Sequence, residues 1–408
     1  ATDKIASSCP PDESDSSTGN VTVSSAALTL LNAVAKIRAM KMLTFRVLIC
    51  VLLLSLACPA AASVVEPVPE GGTEIVITFG GDCTLATLER LRGHPELSFD
   101  SYITRYGYSY PFSKLRKVFW HDDLTVVNLE NVFSNSDQGK IKKTYNFRGP
   151  MDYAKILSFG SVEAVTIANN HIVDYGRQGA LNTVKALEAE GVAWFGATDL
   201  VSGTWVYEKN GIKIGFTGAY IGFWKARKPD LRKTFEDLKA QGCDLIIASM
   251  HGGSEYIKQH DSWQTRMANW MINEGAALVF GHHPHVLHGV EIIDGRTVFH
   301  SLGNLSFGGN PQLKSRARLS MVAQVRFLFD KDKQYIGHQT TLIPVRPSSR
   351  TDVNNYQPVL LSGEEAHEVI ALVQSDTLFP LNPHVDGVGA VQDFVPAVAT
   401  PAPTPAIQ

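Results

Sequence analysis

Between residues 75 and 304 the chain repeats one arrangement, a short apolar run that ends abruptly in a polar motif. The runs lie at 75–79, 124–127, 162–168, 245–250 and 278–280, with a sixth at 297–300. Short runs rich in β-branched and other apolar residues read as buried strands of an α/β sheet. The motifs that follow are Gly80-Gly81-Asp82, Asn128-Leu129-Glu130, Asn169-Asn170-His171, His251-Gly252-Gly253-Ser254-Glu255, Gly281-His282-His283-Pro284-His285 and Ser301-Leu302-Gly303-Asn304. Between the runs, helical spacing covers 178–191, 230–242 and 262–275, each segment stopping at a Gly that can cap a helix. Residues 319–329 and 339–345 read as antiparallel strands of a second sheet. The alternation predicts one α/β domain over 73–345, with two packed sheets and helices outside.

The flanks read differently. Lys41 and Arg46 precede an apolar stretch at 47–57 and then Pro59-Ala60-Ala61-Ala62, the layout of a secretory signal peptide over 40–62. An uncleaved anchor is the alternative, although the run is short for a membrane span. Leu56-Ala57-Cys58 also allows a lipidated Cys58. Either way the protein is expected to be exported: periplasmic, extracellular or membrane-associated in a bacterium. Residues 1–39 precede that signal and read as a misassigned leader. Residues 63–72 form a linker, 346–387 an extension with a helix near 362–372, and 388–408 a Pro/Ala-rich disordered tail.

Composition narrows the chemistry. An apolar fraction of 44% with 19% charged residues permits a full core. A formal net charge of −3 gives no electrostatic case for nucleic acid. Only Cys83 and Cys243 lie beyond the signal, too few for a disulfide scaffold and wrongly spaced for a zinc pair.

Open α/β sheets bind ligands at the carboxyl ends of their strands, where these motifs fall. Asp82, Glu130, one of Asn169 and Asn170, His251, His283 and His285 bring together the Asp, Glu, Asn and His side chains of a metal centre. His283 and His285, two residues apart, can point the same way from an extended backbone. His171, beside two Asn at a strand end, suits contact with substrate. Arg148, in Asn146-Phe147-Arg148-Gly149-Pro150, can hold carboxylate or phosphate, and Asn169, Glu255, His282 and Asn304 are candidate polar contacts to substrate.

The order and content of these motifs over 73–345 resemble the CapA family, linked to capsular poly-γ-glutamate biosynthesis and similar to calcineurin-like metallophosphoesterases. That resemblance implies a four-layer α/β/β/α sandwich holding one or two divalent ions (Mn, Fe, Zn or Mg), with Asp82 on a first metal, Glu130 where a bridging Asp usually sits, and Asn170 and His251 on a second. It implies that His283 and His285 are divided between the two metals and that His171 protonates the leaving group. Two departures stand out: Asp82-Cys83-Thr84 lacks the superfamily's Asp-x-His histidine, and Asn128-Leu129-Glu130 replaces Gly-Asp-x-x-Asp, so one metal position has a thinner ligand set. The resemblance implies synthesis, transport or anchoring of an anionic capsule polymer, beside capsule machinery at the membrane. The alternatives are a secreted phosphoesterase unrelated to capsule, or a non-catalytic polyanion-binding module.

Overall fold

The computed structural model describes residues 64–309 and 315–398. The expected leader, the signal peptide and the last residues of the tail lie outside the described residues. Among the described residues, no helix is long and apolar enough to cross a membrane.

The apolar runs become a parallel ladder. Strand β1 (Thr73–Thr84) pairs in parallel with β2 (Leu124–Leu129), β2 with β3 (Ala164–Thr166), and β3 with β4 (Ala193–Ala197). Beyond β4 the sheet turns over into a second parallel stack. It runs through β5 (Ile212–Tyr220), β6 (Leu245–His251), β7 (Leu278–His282) and β8 (Arg296–Phe299). The short strand β9 (Asn304–Phe307) returns to pair with the end of β1. Strands β10 (Ser320–Phe329) and β11 (Tyr335–Arg346) then extend the first sheet in antiparallel fashion.

Three large apolar clusters separate the layers. Ile75, Ile77 and Phe79 of β1 meet Phe216, Ile247 and Phe280 between the two sheets, with the Phe79 and Phe280 ring centroids 4.7 Å apart. The outer face of the first sheet, including Leu129 and Val165, is covered by helices α1 (Phe99–Tyr106) and α2 (Gly176–Ala189). The outer face of the second, including Ala248 and Val279, is covered by α3 (Lys228–Ala240) and α4 (Ser262–Glu274). Three apolar interfaces between helix, sheet, sheet and helix make the expected α/β/β/α sandwich. Helix α4 shows why sequence and structure agree here. Asp261 accepts from Trp263 N–H and Gln264 N–H while the Gln264 side chain accepts from Asp261 N–H, and Gly275 ends the helix at φ +115°. Such a cap contributes about 1 kcal/mol.

The unit does not stop at 345. Helix α5 (Gly363–Gln374) inserts Ala366, Val369 and Val373 into the core between the sheets. Residues 390–391 and 395–396, expected in a disordered tail, pair with β11. The Pro/Ala composition hid the fact that the β11 edge offers unpaired backbone groups, which an extended segment satisfies whatever its side chains. Cys83 and Cys243 are both free thiols.

Candidate metal centre

Register brings the motifs to one level. Asp82 lies opposite Asn128 on β2 and opposite Asn304 on β9, while His251 lies opposite His282 on β7. A register irregularity between Phe79 and Asp82 bends the end of β1. Gly81 permits it, because a Cβ there would sit 2.0 Å from the Gly303 carbonyl oxygen.

Glu130 is at the centre. It is fully buried, and neither carboxylate oxygen has a hydrogen-bond partner. Its Oε1 faces His251 Nε2 at 3.6 Å, and His171 Nε2 and His285 Nε2 at 3.9 Å each. Two ligand sets share it: Asp82–Glu130–His285 and Glu130–His251–His283, with the candidate ligand atoms of each set within 4.8 Å of one another. Asn170 Oδ1 stands 2.8 Å from His251 Nε2, adjoining the second set. Buried charge without a hydrogen bond is costly, and a carboxylate ringed by imidazoles becomes favourable when a cation sits between them. The donor set therefore fits one or two divalent ions.

Electrostatics prepare His251 and His283 as donors, whereas His285 must release a proton on binding a metal. Burial, then the Asp82 charge, push the Glu130 carboxyl well above the usual glutamate range. Burial, then neighbouring imidazoles, lower His251, and the same causes bring His283 down to about 4, leaving both neutral with lone pairs to donate. Burial also works against charged His285, but Glu130 and Asp82 outweigh it and raise that ring to about 9. Burial opposes ionised Asp82 as well, yet its bond with His285 prevails and holds it low.

Around this centre lie groups that orient it. His171 Nδ1 is 2.8 Å from Asp174 Oδ2, which aims Nε2 towards Glu130, and Phe147 packs on the ring with centroids 4.6 Å apart. Burial, partly offset by Asp174, lowers the His171 pKa. Asn304 Oδ1 lies 2.9 Å from His285 Nδ1, the ring nitrogen that also faces Asp82 Oδ2 at 3.2 Å, and so orients that ring. Glu255 is exposed at the rim, its charge felt by His283 and His285.

Three expected substrate contacts face elsewhere. Asn169 donates to Asn128 Oδ1 and the Leu129 carbonyl and accepts from His171 N–H and Ile172 N–H, so it pins the turn that presents Asn170 and His171. His282, still in the strand, points to the Gly80 carbonyl at 3.0 Å. Arg148 donates from Nε to Asp137 at 2.8 Å and from Nη1 to the Ser134 carbonyl at 2.7 Å. His283 and His285 do reach the site, but not from extended backbone: their φ angles are +98° and +58°. Such conformations cost about 1–3 kcal/mol each and cluster at functional sites.

Two participants escaped the sequence reading. Asn128 Nδ2 lies 2.8 Å from Asp82 Oδ1 and 3.3 Å from His251 Nδ1, tying the two ligand sets together. Its place at a strand end beside Asp82 was the available signal. Lys143 Nζ donates to the Asn170 carbonyl (3.0 Å) and Asp174 Oδ1 (3.1 Å) and lies 3.3 Å from His171 Nδ1. It sits in an unpatterned loop that gave no signal. A separate group, His260, Glu291 and His300, has two imidazoles stacked 3.8 Å apart at 1°. Stacked parallel rings keep their in-plane lone pairs in two separate parallel planes, so the two do not meet on one ion.

The family described as bacterial capsule synthesis protein PGA_cap matches residues 76–308, more than half of the chain. The Bacillus anthracis protein named capsule biosynthesis protein CapA is 28% identical over 227 residues, covering 50% of this chain and 55% of that protein. The Bacillus subtilis PGA biosynthesis protein CapA is 28% identical over 213 residues, covering 48% and 56%. The chain thus spans about half the length of the curated relatives it matches. Among solved structures, Haemophilus influenzae NAD nucleotidase aligns over 74% of this chain and 56% of its own, with 14% identity and a TM-score of 0.38. That likeness is too remote to bear on function.

Proposed function

This chain belongs to the bacterial capsule synthesis protein PGA_cap family, and from that premise we propose that it is an exported factor acting on an anionic capsule polymer such as poly-γ-glutamate. Its role would be in synthesis, transport or anchoring beside membrane machinery, with hydrolysis of a bond in the polymer at the Glu130 centre. The observation that carries the hydrolytic part is Glu130 itself, buried and unbonded among His171, His251 and His285.

Asp82, Glu130 and His285 would hold one ion, and Glu130, His251, His283 and Asn170 a second. When bound, such ions supply Lewis acidity and a water acidic enough to ionise near neutral pH. The protein's own groups supply the rest. Asp174 fixes the ring of His171 so that Nε2 faces the centre, where it can hold a proton for the leaving group. Lys143, bonded to Asp174 and beside the same ring, keeps positive charge at that edge. Strand ends in fixed register keep the arrangement rigid.

The test is turnover of purified poly-γ-glutamate by the Mn-reconstituted protein, read as chain shortening, with wild type beside His171→Ala. Shortening that falls at least about 100-fold in the variant, the scale of a lost general acid, supports the reading. No shortening by wild type carrying its full metal complement would remove hydrolysis from it.

A further inference from the structure

Arg148, the cation expected to meet an anionic substrate, is engaged by Asp137 and Ser134. Unengaged cations stand nearby. A solvent-open groove of about 530 Å³ is lined by Arg90, Lys140, Lys142 and Lys143, with Glu89 as its one acid. Lys140 pairs with Glu89. Arg90 and Lys142 have no ion-pair partner among the described residues. With Asp174, which pairs with Lys143, four cations against two acids leave the groove at a formal +2, in a chain whose net charge is −3.

The groove also leads somewhere. Its inner end is Lys143, whose Nζ contacts the Asn170 carbonyl, Asp174 and His171. Tyr145, also lining the groove, lies close enough to Tyr256 to influence its ionisation, and the Tyr256 ring lies tilted to that of His285 with centroids 5.8 Å apart. Like charges gathered on one wall repel one another, and an anion relieves that repulsion. A guanidinium and several ammonium groups lining one groove can pair with several carboxylates of one polymer at once.

We propose that this groove is the subsite that reads the polymer. It would pair the free carboxylates of successive γ-linked glutamate residues with Arg90, Lys140 and Lys142, and lead the chain past Lys143 to His171. The inference rests on the polymer reading above, but it is separable from hydrolysis because it concerns binding alone.

The experiment is fluorescence anisotropy of a labelled poly-γ-glutamate oligomer with the full chain, at low and at elevated salt. Wild type is compared with Arg90→Glu/Lys142→Glu and with the milder Arg90→Gln/Lys142→Gln. Metal content and the unfolding midpoint of each variant serve as the check on folding. Affinity should fall with salt, as screening requires. It should fall at least about tenfold in the charge-reversed variant, and less in the neutral one. Variants that fold normally and bind the oligomer as tightly as wild type would overturn the groove and leave the hydrolytic reading untouched. A single-stranded oligonucleotide of equal length that binds more tightly than the glutamate oligomer would overturn the polymer assignment. Loss of binding in the variants of a protein that never cleaves the polymer would uphold the groove and count only against hydrolysis.

Discussion

Replacing Glu130 by Gln should stabilise the metal-free protein and destabilise the metal-loaded one relative to wild type. The wild-type carboxylate is fully buried, with both oxygens unbonded. Leaving a buried polar group unsatisfied costs about 1–3 kcal/mol, and more when it is charged. Charged His285, 3.9 Å away, returns part of that. Gln keeps the shape and an unsatisfied amide but removes the charge, so a net gain of about 1–2 kcal/mol is expected without metal. The sign with pH follows from the raised Glu130 pKa. A carboxyl whose folded value exceeds its unfolded value loses stability as pH rises from the unfolded value through the folded one. The advantage of Gln should therefore be small near pH 4 and grow as pH rises above it. With metal at a hundred times its dissociation constant, wild type gains about 2.7 kcal/mol by mass action. The variant, lacking the carboxylate shared by both ligand sets, should gain little, and the order of stabilities should reverse. Urea unfolding followed by circular dichroism, in EDTA and in excess Mn, reads both halves. A variant less stable than wild type in EDTA, or equally stabilised by Mn, would refute the reasoning.

Two further outcomes follow from the same geometry. Gly81→Ala should lower stability by about 3 kcal/mol or more in urea unfolding, because its Cβ would meet the Gly303 carbonyl at 2.0 Å and backbone must move; a loss under about 1 kcal/mol would show that the bend tolerates a side chain. Asp376→Asn should cost about 1–2 kcal/mol at pH 5.5 and less at pH 9. The bond with Asp376 raises His260 above its ordinary 6.5, so that contribution is complete below 6.5 and fades as pH rises through the folded value. Burial works to raise Asp376, but bonds from His260 and Gly289 outweigh it and hold it below 3.8, so its contribution fades only as pH falls through that lowered value. A penalty that is flat from pH 5.5 to 9 would contradict the pairing.

Much of the fold was legible because the physical signals were local. Apolar runs bounded by Gly and polar motifs gave the parallel strands, and helical spacing over 262–275 that stops at Gly275 gave α4. The ligand set was legible for a related reason: parallel strands in register present their carboxyl ends together, so Asp82, Glu130 and His251 had to be neighbours. Which of two adjacent polar residues faces the site was not legible. Asn169 and Asn170, or His282 and His283, differ only in whether the backbone is still extended or has turned. The positive φ angles at His283 and His285 belong to the folded loop rather than to any periodicity. Arg148 looked available because the acid that engages it, Asp137, comes from a different stretch of loop. The packing of 346–398 was hidden because its burial depends on the β11 edge and the gap between sheets, which exist only once the rest has folded.

The central claim is that the strand ends form a metal centre around Glu130, and elemental analysis of the purified protein tests it most directly. Wild type, reconstituted with Mn or Zn and freed of excess, is compared with a His251→Ala/His283→Ala variant. About one to two equivalents of metal in wild type, lost or halved in a variant that remains folded, is the expected result. No bound metal in wild type after reconstitution would contradict the account and leave Glu130 a buried charge without a role.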